Sequence, residues 1–239
     1  MAGQKFAVFD IDGTLIRWQL YHALTEELAR QGYVDKAEFQ KVRAARMDWK
    51  KRSGTDSYVE YEKLMVDIFE SALKLISPAV LVGACHNVME EYQDQVYTYT
   101  RDLICELKTK KYLIFAISSS QIEIVKMMAE YYGFDDFGGT VYKTSDNHYT
   151  GEKEALRYQS KADFLDDLVK KHGAVWQNSI GVGDSESDIA MLSKVEKAIA
   201  FNPTRKLFDE AKRKNWKVVV ERKNMVYELE SNDGSYLLA

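Results

Sequence analysis

Apolar positions recur along this chain with two different periods. Phe6-Ala7-Val8-Phe9 is an unbroken apolar run that stops at two carboxylates, Asp10 and Asp12. A run without polar alternation predicts a strand over Lys5–Phe9 that is buried on both faces. From about residue 17 to residue 96 the period lengthens. Leu20, Leu24 and Leu28 repeat at one-turn spacing, and Tyr61, Leu64, Met65, Ile68, Phe69, Ala72, Leu73 and Ile76 form one amphipathic stripe. Ser77-Pro78 ends that helix and opens another, because proline suits the first helical position. The stretch is expected to be helical almost throughout, with the stripe as a packing face.

After Tyr97 the two periods alternate. Helices are expected at 101–110, 121–132, 161–172, 186–192 and 204–214, the second and third stopping at Gly133 and Gly173. Strands are expected at 112–117, 178–182, 197–201 and, as the last, 216–220. A short strand or hairpin is expected within 141–149, turning at Ser145-Asp146-Asn147. Such alternation predicts an α/β fold, a parallel sheet with helices on both faces.

Composition is ordinary for a globular chain. The 239 residues are 46% hydrophobic and 29% charged, with net charge -4, so no nucleic-acid surface is expected. No apolar run is long enough to span a membrane, and no basic-then-apolar leader precedes the first strand. Cys85 and Cys105 stand in no metal or redox spacing, which predicts a reducing, cytoplasmic setting. The histidines are scattered and form no zinc pattern.

Chemistry concentrates at three strand ends. Asp10 and Asp12, one residue apart before Gly13 and Thr14, repel each other unless a cation lies near. A hard, oxygen-seeking ion such as Mg²⁺ suits them. In Ile180-Gly181-Val182-Gly183-Asp184-Ser185-Glu186-Ser187-Asp188, Asp184 is a third oxygen ligand candidate, and Asp188 follows one helical turn later. Helix capping also explains Asp184, Ser185 and Ser187, and does not exclude metal binding. The third strand, Tyr112–Ile117, ends in Ser118-Ser119-Ser120. Hydroxyls and free N–H groups before a helix suit a phosphate, although a serine cap alone explains them too.

Together these motifs resemble the haloacid dehalogenase-like superfamily of aspartate-nucleophile phosphohydrolases, over Phe6 to about Pro203. Asp10-Ile11-Asp12-Gly13-Thr14, Ser118, and Asp184 with Asp188 match its first, second and fourth motifs. Lys143, Lys153 and Lys161 compete for the single lysine of the third. Lys161 is preferred, because Ser160-Lys161-Ala162 opens the helix leading to the Asp184 strand.

The resemblance implies a Rossmann-like core from residues 1–16 and 97–239 and an inserted helical cap from residues 17–96. It implies hydrolysis of a small phosphate monoester. Asp10 would be the nucleophile and Asp12 the general acid and base. Mg²⁺ would be held by the Asp10 side chain, the Asp12 carbonyl and Asp184. Ser118, Ser119 and Lys161 would hold phosphate, with Gly13, Thr14 and Asp188 in support. The phosphoserine phosphatase branch is most similar, but it carries a Glu where an ungapped count gives Gln19. A neutral amide cannot supply the charge that faces an ammonium, so phosphoserine is expected to be a poor substrate unless another cap carboxylate, for example Glu26, Glu60 or Glu62, supplies it, and Trp18 and Gln19 are specificity candidates. A dehalogenase would lack Asp12 and need no metal. A phosphomutase would exclude water, and a binding module would not need the full acid set.

Overall fold

Phe6, Ala7, Val8 and Phe9 are all fully buried, yet they belong to two different apolar cores. Successive side chains of a strand point to opposite faces. Ala7 and Phe9 enter one cluster, while Phe6 and Val8 enter another. The central strand is thus covered on both sides, as its unbroken apolar run predicts.

The computed structural model describes residues 3–54, 57–154, 160–232 and 235–238. Residues 1–2, 55–56, 155–159, 233–234 and 239 of the expected core and cap spans lie outside the described residues. In chain order, β1 (Gln4–Phe9) precedes four helices: α1 (Leu20–Arg30), α2 (Lys36–Lys51), α3 (Ser57–Leu73) and α4 (Pro78–Tyr92). Then come α5 (Thr98–Thr109), β2 (Leu113–Gln121), α6 (Ile122–Tyr132), β3 (Asp136–Thr140) and the hairpin β4 (Tyr142–Ser145) with β5 (His148–Lys153). Next are α7 (Lys161–His172), β6 (Ala174–Gly183), a 3-10 turn at Glu186–Asp188 running into α8 (Ile189–Leu192), and β7 (Lys197–Phe201). The chain continues with α9 (Arg205–Lys214), β8 (Lys217–Arg222), β9 (Met225–Asn232) and β10 (Ser235–Leu238).

Among the described residues the main sheet runs β10-β9-β8-β7-β6-β1-β2-β3. Strands β3 to β8 in that row are parallel, and β9 and β10 extend it antiparallel. From β1 the chain adds strands first on one side and later, through β6, on the other. The order therefore reverses beside β1, where open α/β sheets bind ligands. Helices α5 and α6 cover one face with Ile104, Leu107, Ile124 and Met128. Helices α7, α8 and α9 cover the other with Leu165, Leu192 and Leu207. The apolar side chains of α1 to α4 are continuous with the first of these cores.

Local chemistry explains the elements. Ser77 accepts from the Val80 N–H and Pro78 opens α4, as read from sequence. Ser160 caps α7 by accepting from Asp163. The β4–β5 hairpin turns at Asp146 and Asn147, both at positive φ. The helical stretch leaves and rejoins the core through neighbouring segments, with Arg17 N donating to Gln95 O and Tyr97 N to Leu15 O.

The sheet exceeds the sequence expectation in two places. The strand at 217–222 is not the last, because β9 and β10 follow. Their side chains are largely half-exposed, so pairing to the sheet edge is mostly a backbone matter and leaves little apolar pattern. Strand β3 was also not expected. Its Gly138-Gly139 reads as a turn, but Gly138 leaves room for Phe164: a Cβ there would lie 2.1 Å from that ring. The expected helix at 186–192 begins as a 3-10 turn.

Candidate active site

The register of three parallel strands brings the three motifs together. Phe9 pairs with Ala116 on one side and Val182 on the other. One or two residues further on, each strand delivers its polar group: Asp10 from β1, Ser118 from β2 and Asp184 after β6. Asp10 is held there by its N–H, which donates to Val182 O at 2.9 Å.

The Asp10, Asp184 and Asp188 carboxylates each place an oxygen within 4.8 Å of the others. Lys161, at the start of α7, donates to Asp10 Oδ1 at 2.7 Å and to Asp188 Oδ1 at 2.6 Å. The other Asp188 oxygen accepts from the N–H groups of Asp184 and Ser185, at 3.1 and 3.0 Å. Asp188 is fully buried, and its contacts fix both the lysine and the loop that carries Asp184. Burial works against the Lys161 charge, but Asp10 and Asp188 outweigh it and hold the ammonium above its ordinary range. Burial, then repulsion from Asp188, pushes Asp10 up to about 7 against the pull of Lys161. Burial and the charges of Asp10 and Asp188 raise Asp184 as well. Three carboxylates sharing one ammonium leave excess negative charge in a buried, all-oxygen donor set. That chemistry fits a hard divalent cation.

Asp12 turns its side chain elsewhere. Its Oδ1 accepts from Leu20 N at 2.6 Å, so it anchors the first turn of α1. Its Oδ2 accepts from the Ser118 and Ser120 hydroxyls at 2.7 and 2.8 Å. The carboxylate is therefore steered by three donors and stands outside the group formed by Asp10, Asp184 and Asp188. Gly13, at φ +77, lets the chain pass close to Asp184, where a Cβ would lie 2.3 Å from Oδ2.

The other expected residues fall as follows. Ser119 lines the cavity between Asp10 and Asp12 with its neighbours, and its carbonyl accepts from Thr140 Oγ1 at 2.6 Å. Ser118 has its hydroxyl committed to Asp12. Thr14 does not reach Asp10: its hydroxyl is buried without a partner among the described residues, and its carbonyl accepts from Thr100. Lys143 and Lys153 pair with Glu152 and Glu70, away from the aspartates. Gln19 donates to the Tyr58 hydroxyl and lines the cavity, as do Tyr21, Glu62 and Met65. Ser120, named in the sequence only as part of the hydroxyl run, holds Asp12 rather than standing free for a phosphate. Tyr58, on α3, was missed and carried no local signal.

Two cavities meet here. The one at Asp10, Asp12 and Lys161 is about 90 Å³, room for one phosphoryl group or a few waters. Beside it lies a cavity of about 550 Å³ walled by Trp18, Trp49, Tyr58 and Tyr61. Gly13, Gln19, Tyr58, Asp184 and Ser185 border both.

Comparison with known proteins agrees with this geometry. The family model of haloacid dehalogenase-like hydrolases matches residues 7–193. Phosphoserine phosphatase of Methanocaldococcus jannaschii is 26% identical over 203 residues, covering 83% of this chain and 85% of that protein. Histidinol-phosphatase of Neisseria meningitidis serogroup C is 27% identical over 230 residues, covering 90% and 98%. A solved phospho-aspartyl intermediate analogue of phosphoserine phosphatase superposes with a TM-score of 0.65 at 19% identity, over 92% of this chain and 95% of that one, a likeness of fold. Among the described residues no helix is long and apolar enough to cross a membrane.

Proposed function

The chain belongs to the haloacid dehalogenase-like hydrolase family and is a phosphoric monoester hydrolase; from that premise we propose that it cleaves a small phosphate monoester through an aspartyl-phosphate on Asp10. The observation that carries this reading is Asp10 itself. It is a buried carboxylate at a strand end, gripped by Lys161 and next to Asp184, with a cavity of phosphoryl size in front of it.

An Asp10 oxygen attacks phosphorus, and the bond from phosphorus to the leaving oxygen breaks. Asp12 gives that oxygen a proton. It then takes one from the water that attacks the phosphorus of the intermediate, releasing phosphate and restoring Asp10. Such acid-base help is worth about 10²–10⁴-fold. The Leu20 N–H and the two serine hydroxyls set the direction in which the Asp12 carboxylate moves its proton. Lys161 meets the phosphoryl oxygens from the Asp10 side and Ser119 from β2, and Ser118 joins them when its hydroxyl turns away from Asp12. Asp188 positions Lys161. Asp10, Asp184 and the Asp12 carbonyl are the groups that would hold Mg²⁺, which when bound offsets the repulsion between nucleophile and phosphate. Residues 17–96 act as the cap over a core of residues 1–16 and 97–239, and Trp18 and Gln19 lie where the chain enters it.

The relatives named above act on phosphoserine and on histidinol phosphate by their names. For this chain phosphoserine is expected to be a poor substrate, because Gln19 is neutral and its amide is engaged with Tyr58; Glu62, which lines the same cavity, is the carboxylate that would have to supply the charge instead. The test is a panel of phosphate monoesters assayed with Mg²⁺, with excess EDTA, and with Mg²⁺ restored. Turnover that disappears with EDTA and returns with Mg²⁺ is expected. Full activity in excess EDTA would contradict the reading.

A further inference from the structure

The larger cavity carries charges that the phosphoryl chemistry does not use. Several cations border it. Arg17 pairs with Glu221, Arg205 with Asp209 and Lys206 with Glu186. Arg46 and Lys50, both on α2, have no carboxylate partner among the described residues. The Arg46 guanidinium lies 4.0 Å over the Trp18 ring, and Lys50 lies 5.9 Å from the same ring. Arg46 Nε and Trp18 Nε1 are buried behind this wall, whereas the outer nitrogens of the Arg46 guanidinium are not among the buried atoms and border the cavity without a carboxylate. A guanidinium left without a carboxylate suits an anionic ligand group.

The remaining polar group there adds no compensating charge. His22, bonded through Nδ1 to the Tyr61 hydroxyl at 2.6 Å, is pushed down to about 4 by burial and by Arg46 and Lys50, so it is neutral. The carboxylates on the rim are committed elsewhere. Asp184 belongs to the aspartate cluster, and Glu186 takes Lys206 and Thr204. Trp49, stacked on Tyr61, and Tyr58 supply flat apolar walls between the phosphoryl site and these donors.

We propose that this cavity seats the leaving alcohol and selects one with a flat or apolar body whose far end bears a second anionic group, a carboxylate or a phosphate, received by Arg46 and Lys50. The proposal rests on the phosphatase reading for the chemistry at Asp10, but not for the binding. An ammonium at the far end is disfavoured by the same two cations. The preference follows from a fixed arrangement: Gln19 and Tyr58 border both cavities, so an ester with its phosphoryl group at Asp10 extends past them.

Matched esters test it: phenyl phosphate, 4-carboxyphenyl phosphate and 4-(aminomethyl)phenyl phosphate, with kcat/KM measured for the wild type, Arg46→Met, Arg46→Lys and Trp18→Phe. Intrinsic differences between leaving groups cancel when each variant is compared with the wild type. In Arg46→Met the carboxy-over-plain ratio is expected to fall about tenfold or more, with the aminomethyl ester gaining relative to both. Arg46→Lys should keep part of the ratio. Trp18→Phe, which keeps a ring under the guanidinium, should lower it by a smaller factor than Arg46→Met. Equal loss on all three esters, or an unchanged ratio, would overturn the proposal.

Titration with benzylphosphonate and 4-carboxybenzylphosphonate separates the two readings, since binding needs no turnover. Tighter binding of the carboxylated compound, lost in Arg46→Met, sustains the cavity assignment even if no ester is hydrolysed. Equal affinities for the two phosphonates would overturn it even if hydrolysis is efficient.

Discussion

The two adjoining cavities are built by opposite means. In the smaller one, Asp10, Asp12, Lys161 and Asp188 all find partners within the protein; the two aspartates after β1 sit where the sheet register puts them, and Lys161 and Asp188 come from the start of α7 and the turn before α8. In the larger one, flat rings from α1–α3 and their entry segment border cations, Arg46 and Lys50, that have no carboxylate partner among the described residues. A self-satisfied polar network is preorganised for one reaction, whereas an unpaired cation at a cavity is open to an external anion. On the proposed reading the difference separates chemistry, set by the sheet, from choice of alcohol, set by the helices of residues 17–96.

Substitutions at the two cavities sharpen that contrast. The largest effect is expected from Asp10→Asn, which removes the attacking oxygen while keeping the shape; kcat should fall by about 10⁴-fold or more for every ester. Asp12→Asn should lose about 10²–10⁴-fold on alkyl phosphates but much less on 4-nitrophenyl phosphate, because a good leaving group needs little proton help. Equal losses on both classes, compared as kcat ratios, would remove the acid-base role.

Gly13→Ala tests the geometry that joins the cavities. The new Cβ must displace Asp184, and the positive φ adds strain, so a loss of about 1 kcal/mol or more is expected in a denaturant melt. A weaker response to Mg²⁺ should accompany it. A melt and a Mg²⁺ titration that both match the wild type would show that the close approach has no role.

The smallest effect expected is a gain. Asp184→Asn relieves repulsion among three buried carboxylates, so the metal-free protein should become more stable by about 1 kcal/mol. The same variant should lose the rise in Tm that Mg²⁺ gives the wild type. If Asp184→Asn melts lower in EDTA, repulsion at the cluster is not what the cation offsets.

The same contrast governs what could be read in advance. Asp10, Ser118, Lys161, Asp184 and Asp188 are each next to an apolar strand or a helix start, so short-range pattern exposed them, and strand register did the rest. Lys161 was separable from Lys143 and Lys153 because a capping serine and the Asp184 strand framed it. Arg46 had no such frame. Helix α2 is mostly polar, with Val42 its fully buried residue, and Arg46 reads there as part of a solvated face. Its place over Trp18 depends on how α2 packs on α3, which no local spacing encodes. Where the Thr14 hydroxyl turns was equally unreadable: it lies buried without a partner among the described residues, and its place beside Asp10 in sequence does not encode that. Strands β9 and β10 escaped because edge pairing is carried by the backbone.

The most direct measurement is a rapid acid quench of the protein during turnover of 4-nitrophenyl phosphate with Mg²⁺, followed by peptide mass analysis. The account predicts one phosphoryl group on Asp10, appearing in a burst and absent in Asp10→Asn. Phosphate release with no protein-bound phosphoryl group, or with the group on a different residue, would contradict it.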